Sequence, residues 1–137
     1  MKYLGIDFGL KRIGLAISEG EIASPLRTLE VKNFKDAINK VLGVVESEGA
    51  GKVVVGLPEG KMGKTVLGFI KALRKSGLDV SEADETLSSQ KATEQMIKQN
   101  IPRGIRRVND SSAAAIILQE WLDENGVARH TQNAPFD

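Results

Sequence analysis

Three acidic residues of the chain stand where rigid elements are expected to end or begin. Asp7 follows an apolar run at residues 2–6, Glu85 follows another at 78–83, and Asp110 opens an apolar helical segment. Carboxylate oxygens are hard ligands that suit Mg²⁺ or Mn²⁺. Two such ions about 4 Å apart stabilise both the attacking and the leaving oxygen of a phosphodiester. The three acids therefore predict a metal site for phosphodiester hydrolysis, with Mg²⁺ or Mn²⁺ as cofactor.

Each acid also has a purely structural explanation. Asp7 could cap a turn, although an acid between two apolar runs is poorly placed for that. Glu85 taken alone is an ordinary surface charge of a loop, and Asp110 is a natural helix N-cap. Adjacent residues of an extended chain point to opposite faces, so we expect Glu85, and not Asp84, to face the site.

The last predicted helix connects Asp110 to the sheet. Its apolar face should pack on the sheet and direct Asp110 toward the strand ends. The residues expected to share this face with Asp110 are Ala113, Ala114, Ile117 and Trp121.

Composition limits the other kinds of chemistry. The chain has no cysteine, which excludes disulfides, thiolate catalysis and cysteine zinc sites. Its one histidine, His130, lies in a polar terminal segment and does not favour a Ser-His-Asp triad. No run approaches the ~20 apolar residues that span a bilayer, and the first residues do not resemble a secretory signal. We therefore expect a cytoplasmic protein without a membrane partner.

Positive charge is concentrated in two acid-free runs, although the net charge is only +1. One run covers residues 60–78 and the other covers 95–109, directly before Asp110. Solvated faces are the ordinary explanation of such runs, but the position of the second favours contact with phosphate. The candidates for substrate binding are Lys11, Arg12, Lys61, Lys64, Arg103, Arg106 and Arg107.

The periodicity of apolar residues predicts the order β-β-β-α-β-α-β-α-α. Strands are expected at 2–6, 13–17, 25–31, 52–57 and 78–83, with a loop at 58–63. Helices are expected from the N-cap Asn33 to Gly49, over residues 66–73 up to Gly77, from the cap Ser88, and at 110–124. This pattern predicts an α/β domain with a mixed five-stranded sheet flanked by helices, over residues 1–126. Residues 127–137 lack periodicity and are expected to form a flexible tail.

With these segments in place, the chain resembles the YqgF/RuvX family of Holliday-junction-resolvase-like proteins. The resemblance rests on the motifs at residues 5–16, 54–58, 62–63, 84–89 and 110–119. It implies a ribonuclease H-like fold, catalytic acids at Asp7, Glu85 and Asp110, and a nuclease for the precursor of small-subunit ribosomal RNA. The implied partners are an RNA precursor or branched DNA, and ribosomal precursor particles. Thr86 stands where the family usually has arginine, and the oligomeric state is left open.

Two other functions are compatible with parts of the sequence. An Asp-x-Gly turn after a strand, as at Asp7, also binds phosphate in sugar kinases and actin-like ATPases. A second motif of that kind is missing, and the chain has room for one such domain only. A non-catalytic binding domain of the same fold is the other possibility. The retention of three acids opposes it, because clustered carboxylates without metal repel each other.

Overall fold

A computed structural model of the protein describes residues 1–58, 60–84 and 110–126. These residues form five strands and three helices. In chain order they are β1 (Tyr3–Phe8), β2 (Arg12–Ser18), β3 (Ala23–Glu30), α1 (Phe34–Glu48), β4 (Lys52–Leu57), α2 (Lys61–Lys75), β5 (Val80–Asp84) and α3 (Asp110–Glu124).

The strands form one sheet in the order β3-β2-β1-β4-β5. β2 is antiparallel to both of its neighbours, whereas β1, β4 and β5 are parallel to one another. The carboxyl ends of these three parallel strands therefore lie at one edge of the sheet, where Asp7 is the next-to-last residue of β1. The predicted mixed five-stranded sheet with flanking helices is confirmed.

Alternation along β1 distributes its residues between two layers. Leu4 and Ile6 are fully buried in the larger core, which α1 and α2 cover. Gly5 faces the other layer, where a Cβ atom on it would lie 2.7 Å from the Cβ of Leu118 in α3. Because Asp7 is two residues beyond Gly5, its side chain leaves the sheet on the α3 side.

The ends of α1 are built from the residues that the sequence indicates. The Oδ1 atom of Asn33, the N-cap, accepts a hydrogen bond from the backbone N–H of Asp36 at 2.8 Å. The Oδ2 atom of Asp36 in turn accepts one from the backbone N–H of Lys32 at 2.9 Å. This arrangement satisfies one donor of the first turn, at Asp36, and one just before the N-cap, at Lys32. Gly49 ends the helix in the left-handed conformation, with φ 69°.

The strands of the meander are displaced from their predicted bounds by one or two residues. β1 is longer than predicted because its ladder with β2 continues to the pair Phe8–Ile13, and β2 is longer because Arg12 pairs with Glu30 and Ser18 with Tyr3. A three-residue loop joins the two strands. β3 begins at Ala23 instead of Pro25, because Ala23 still pairs with Ser18. Pro25 is tolerated inside β3 because this is an edge strand.

The loop predicted before α2 is too long. Gly60, with φ 83°, turns the chain, and the N–H of Gly63 donates to its carbonyl at 3.1 Å, so that the helix already starts at Lys61. At the other end, the N–H of Leu78 donates to the carbonyl of Leu73 at 3.3 Å. This bond makes Leu78 part of the turn that ends α2, and β5 starts later than predicted.

The predicted helix after Ser88 and the terminal segment 127–137 lie outside the described residues. None of the three described helices is both long and apolar enough to cross a membrane.

Candidate active site

Asp7 lies opposite a glycine of the neighbouring strand. The β1–β2 register pairs it with Gly14, and directly paired antiparallel residues are about 4.5–5.5 Å apart and share a face. A Cβ atom on Gly14 would lie 2.1 Å from the carbonyl oxygen of Asp110 and 2.9 Å from the nitrogen of Ser111. The first turn of α3 therefore rests directly on Gly14, and Asp7 and Asp110 flank the same glycine.

A second glycine seats the middle of α3. A Cβ atom on Gly5 would lie 2.7 Å from the Cβ of Leu118 and 3.0 Å from the carbonyl oxygen of Ala114. The buried residues of the helix are Ala114, Ala115, Ile117, Leu118 and Leu122. The predicted face is largely confirmed, since Ala114 and Ile117 are buried and Trp121 packs against this layer, whereas Ala113 is only half-buried. The two glycines leave room for α3 to lie close to the sheet. The buried side chains that fill this layer are Ala16, Val54, Ala114, Ala115, Leu118 and Leu122.

The carboxylate of Asp110 is only partly satisfied by its surroundings. Its Oδ2 atom is buried and accepts no hydrogen bond from the described part of the chain. The Nε atom of Arg12 lies 3.5 Å from that oxygen, at ion-pair distance but without hydrogen-bond alignment. Asp110 is also the first residue of α3, where the helix dipole favours a negative charge. A buried acceptor without a hydrogen bond is costly to leave unpaired. Its free lone pairs are available to a cation, which would remove this cost.

Gln119 fixes α3 to the outer strand. Its Oε1 atom accepts from the backbone N–H of Ala23 at 2.9 Å, and its Nε2 atom donates to the carbonyl of Glu21 at 2.8 Å. A further bond from Nε2 to Asp123 Oδ1, at 3.2 Å, orients the amide. Sequence reasoning overlooked Gln119, as it overlooked the roles of Gly5 and Gly14. The pairing of Gly14 with Asp7 was open to prediction by counting outward from the hairpin loop.

Of the predicted substrate-binding cations, Arg12 alone contacts one of the candidate acids within the described residues. Lys11 is exposed in the loop before β2, and its carbonyl oxygen accepts from the N–H of Val31 at 2.9 Å. Lys61 and Lys64 are exposed on α2, which covers the sheet face opposite α3. The remaining candidates, which lie outside the described residues, are Arg103, Arg106 and Arg107.

The third acid of the predicted site follows β5. That strand ends at Asp84, which pairs with Leu57 at the end of β4. Glu85 and Thr86 come next in the sequence and lie outside the described residues. The end of β5 is two strand spacings from β1, or about 9–10 Å. Residues 1–58, 60–84 and 110–126 contain no group of three His, Cys, Asp or Glu residues that could hold a metal.

Comparison with known proteins gives the family. The family model described as "RuvX: Holliday junction resolvase" matches residues 1–124. The chain belongs to the RuvX family. A relative from Maridesulfovibrio salexigens is 38% identical over 133 residues, which cover 89% of this chain and 98% of the relative. A relative from Desulforudis audaxviator is 31% identical over 141 residues, covering 96% and 100%. Both relatives are named "Putative pre-16S rRNA nuclease".

Solved structures identify the fold of this RuvX family member. The RuvC protein of Thermus thermophilus in complex with a Holliday junction has a TM-score of 0.62 at 16% identity, covering 93% of this chain and 98% of that one. The Holliday junction resolvase of fowlpox virus has a TM-score of 0.56 at 12% identity, covering 90% and 99%. At such identities the similarity concerns the fold alone. The chain has the ribonuclease H-like fold, as the resemblance of its motifs implied.

Proposed function

We propose that this protein is a divalent-metal-dependent nuclease that hydrolyses phosphodiester bonds in structured nucleic acid. The name shared by its curated relatives supports the precursor of 16S ribosomal RNA as the substrate. Ribosomal precursor particles as the partner and the cytoplasm as the compartment are further parts of this proposal. The description of the family keeps four-way DNA junctions as the second candidate substrate.

The observation that carries this proposal is the arrangement of Asp7 and Asp110 around Gly14. The donor set suits a hard cation, because both side chains are carboxylates and the Oδ2 atom of Asp110 is buried without a hydrogen bond from the described residues. Asp7 and Asp110 would hold Mg²⁺ or Mn²⁺, with Glu85 as the third ligand. When bound, such ions lower the pKa of water toward neutrality and stabilise charge on phosphoryl oxygens.

The protein's own residues position the acids and the substrate. Gly14 sets how closely the first turn of α3 approaches β2, and because Gly14 pairs with Asp7 it thereby limits how far Asp110 lies from Asp7. Arg12 keeps Asp110 oriented through the ion pair at 3.5 Å. Its side chain is 44% exposed, and its guanidinium carries donors in a fork that matches a phosphate group. Arg12 is thus placed to bind a phosphate of the substrate beside the acids, together with Lys11.

A cleavage assay tests the proposal. The purified protein would be incubated with a precursor 16S rRNA fragment, a four-way DNA junction and an unstructured RNA, each with Mg²⁺, Mn²⁺ or EDTA. We expect cleavage of the rRNA precursor with metal and none in EDTA. Asp7→Asn should abolish cleavage. The matched control is Asp79→Asn, which changes an exposed acid paired with Lys52 at 3.1 Å, just before β5.

Each alternative predicts a different result. Cleavage of the junction but not of the precursor would make DNA the substrate. Cleavage that persists in EDTA would refute the dependence on metal, and full activity of Asp7→Asn would refute the site. If nothing is cleaved and Mg-ATP raises the melting temperature, the fold serves nucleotide binding instead.

A further inference from the structure

A depression rich in positive charge lies where β3 ends and α1 begins, next to the candidate active site. It has a volume of about 700 Å³ and is open to solvent. Four of its six lining residues are cations and one is an acid. The lining residues, called the basic groove below, are Lys11, Arg12, Glu30, Val31, Lys32 and Lys40.

The backbone holds the three segments of the basic groove together. Arg12 pairs with Glu30 in the β2–β3 register, and the N–H of Val31 donates to the carbonyl of Lys11 at 2.9 Å. From α1, the Nζ atom of Lys40 donates to the carbonyl of Glu30 at 2.6 Å. The cations thus stand on fixed backbone, and little further order is needed for them to bind a ligand.

Two of the four cations form ion pairs with acids and two do not. Lys40 forms an ion pair with Asp36 at 3.2 Å, and Arg12 forms one with Asp110 at 3.5 Å. Lys11 and Lys32 have no ion pair with any residue that the structure describes, and both are exposed. Their charge is therefore available to a polyanion in solvent.

Arg12 belongs to both the basic groove and the acid site. It lines the groove, and its Nε atom lies 3.5 Å from the Oδ2 atom of Asp110. A nucleic-acid strand whose phosphate meets Arg12 beside the acids would pass its neighbouring phosphates into the groove. Phosphate contacts of this kind fix the register of a strand without reading its sequence.

We propose that the basic groove binds the phosphate backbone of the substrate strand beside the cleaved bond, with Lys32 and Lys40 as contacts in addition to Lys11 and Arg12. This inference rests on the proposed nuclease function. It adds a second part to the substrate surface, on the β3 side of the candidate acid site.

Binding measured without metal tests the groove apart from cleavage. The probe is a fluorescently labelled precursor 16S rRNA fragment in EDTA, titrated by anisotropy at several salt concentrations. Lys32→Ala removes a side chain without a described ion pair, so we expect normal folding. The logarithm of the association constant falls linearly with the logarithm of the salt concentration, and loss of one phosphate contact makes this slope less steep by about 0.7–0.9. Affinity at 0.1 M salt should then fall about five- to eightfold, if the counterion effect vanishes at 1 M.

Two further variants isolate the charge and the position. Lys32→Arg should restore the slope and the affinity. Lys35→Ala is the matched control, because Lys35 is an exposed lysine of α1 that does not line the groove. It should bind like the wild type. Lys40→Met should make the salt dependence less steep by a smaller amount than Lys32→Ala, because Asp36 already pairs with Lys40. Its melting temperature is measured as well, because Lys40 also bonds to the Glu30 carbonyl.

The outcomes separate this proposal from the one on which it rests. Unchanged slope and affinity in Lys32→Ala, in a protein that binds and cleaves the RNA, would refute the groove and leave the nuclease intact. An equal loss in Lys35→Ala would also refute it, since any surface lysine would then suffice. A wild type that neither binds nor cleaves would refute both proposals.

Discussion

Replacing Gly14 by alanine tests whether this glycine sets the distance between the two acids. Nothing in the backbone opposes alanine, because Gly14 is not among the glycines with positive φ. The new Cβ atom, however, would lie 2.1 Å from the carbonyl oxygen of Asp110, and ordinary contact begins near 3.4 Å. The first turn of α3 must therefore retreat by about 1.3 Å. Overpacking of this kind costs about 1–3 kcal/mol, and a displacement of about 1 Å at a catalytic group costs about 100-fold in rate.

Urea unfolding and single-turnover cleavage of the rRNA precursor measure the two effects separately. Gly43→Ala, in the middle of α1, is the control, because a Cβ atom there meets nothing within 4 Å. It should stabilise the protein by about 0.5–1 kcal/mol and leave cleavage unchanged. A Gly14→Ala variant with wild-type stability and activity would refute the close contact between Gly14 and Asp110, and with it the geometry of the proposed site.

Three further predictions concern metal, acid and the third ligand. Mn²⁺ at a hundredfold excess over its dissociation constant should stabilise the wild type by about 2.7 kcal/mol, and calorimetry of Asp7→Asn should show most of this gain lost; an equal gain would remove Asp7 from the site. The hydrogen bond from the backbone N–H of Lys32 holds the pKa of Asp36 below its usual value. Asp36 therefore stabilises the fold above its unfolded pKa of about 3.9, and this contribution disappears as the pH falls through its folded pKa. Chemical unfolding between pH 2 and 5 should accordingly depend less on pH in Asp36→Asn than in the wild type, and parallel curves would contradict this. Finally, Glu85→Gln should abolish cleavage while Asp84→Asn retains most of it; the reverse result would transfer the role to Asp84.

Local chemistry explains which elements the sequence predicted well. The start of α1 was predictable because Asn33 and Asp36 satisfy donors within a single turn, and no distant residue is involved. The bounds of β1 and the start of α2 depend on partners instead. Phe8 is a strand residue because Ile13 pairs with it, and Lys61 is helical because Gly60 turns the chain before it.

For the candidate site, the sequence offered the acids more readily than their surroundings. Asp7 and Asp110 could be singled out because each stands at the boundary of an apolar run, and their role as ligands stays a prediction. The role of Gly14 depends on a helix from the far end of the sequence, and no local pattern reports that contact. Lys32 and Lys40 were overlooked because they do not belong to an acid-free run. Glu30 precedes Lys32, and Asp36 lies between the two lysines. Their shared groove exists only after β3 has paired with β2.

The contacts of α3 also govern when the protein can become active during its synthesis. The ribosome releases β1 early, whereas α3, which contacts all five strands, is made after the rest of the sheet. Until α3 docks, the sheet face bearing Gly5, Ala16 and Val54 lacks its cover, and Asp7 lacks Asp110 beside it. Because domains generally fold as units once their sequence has emerged, a nascent chain that ends before α3 carries half of the acid pair. The proposed acid pair of Asp7 and Asp110 therefore cannot form until α3 has been translated and has docked on the sheet.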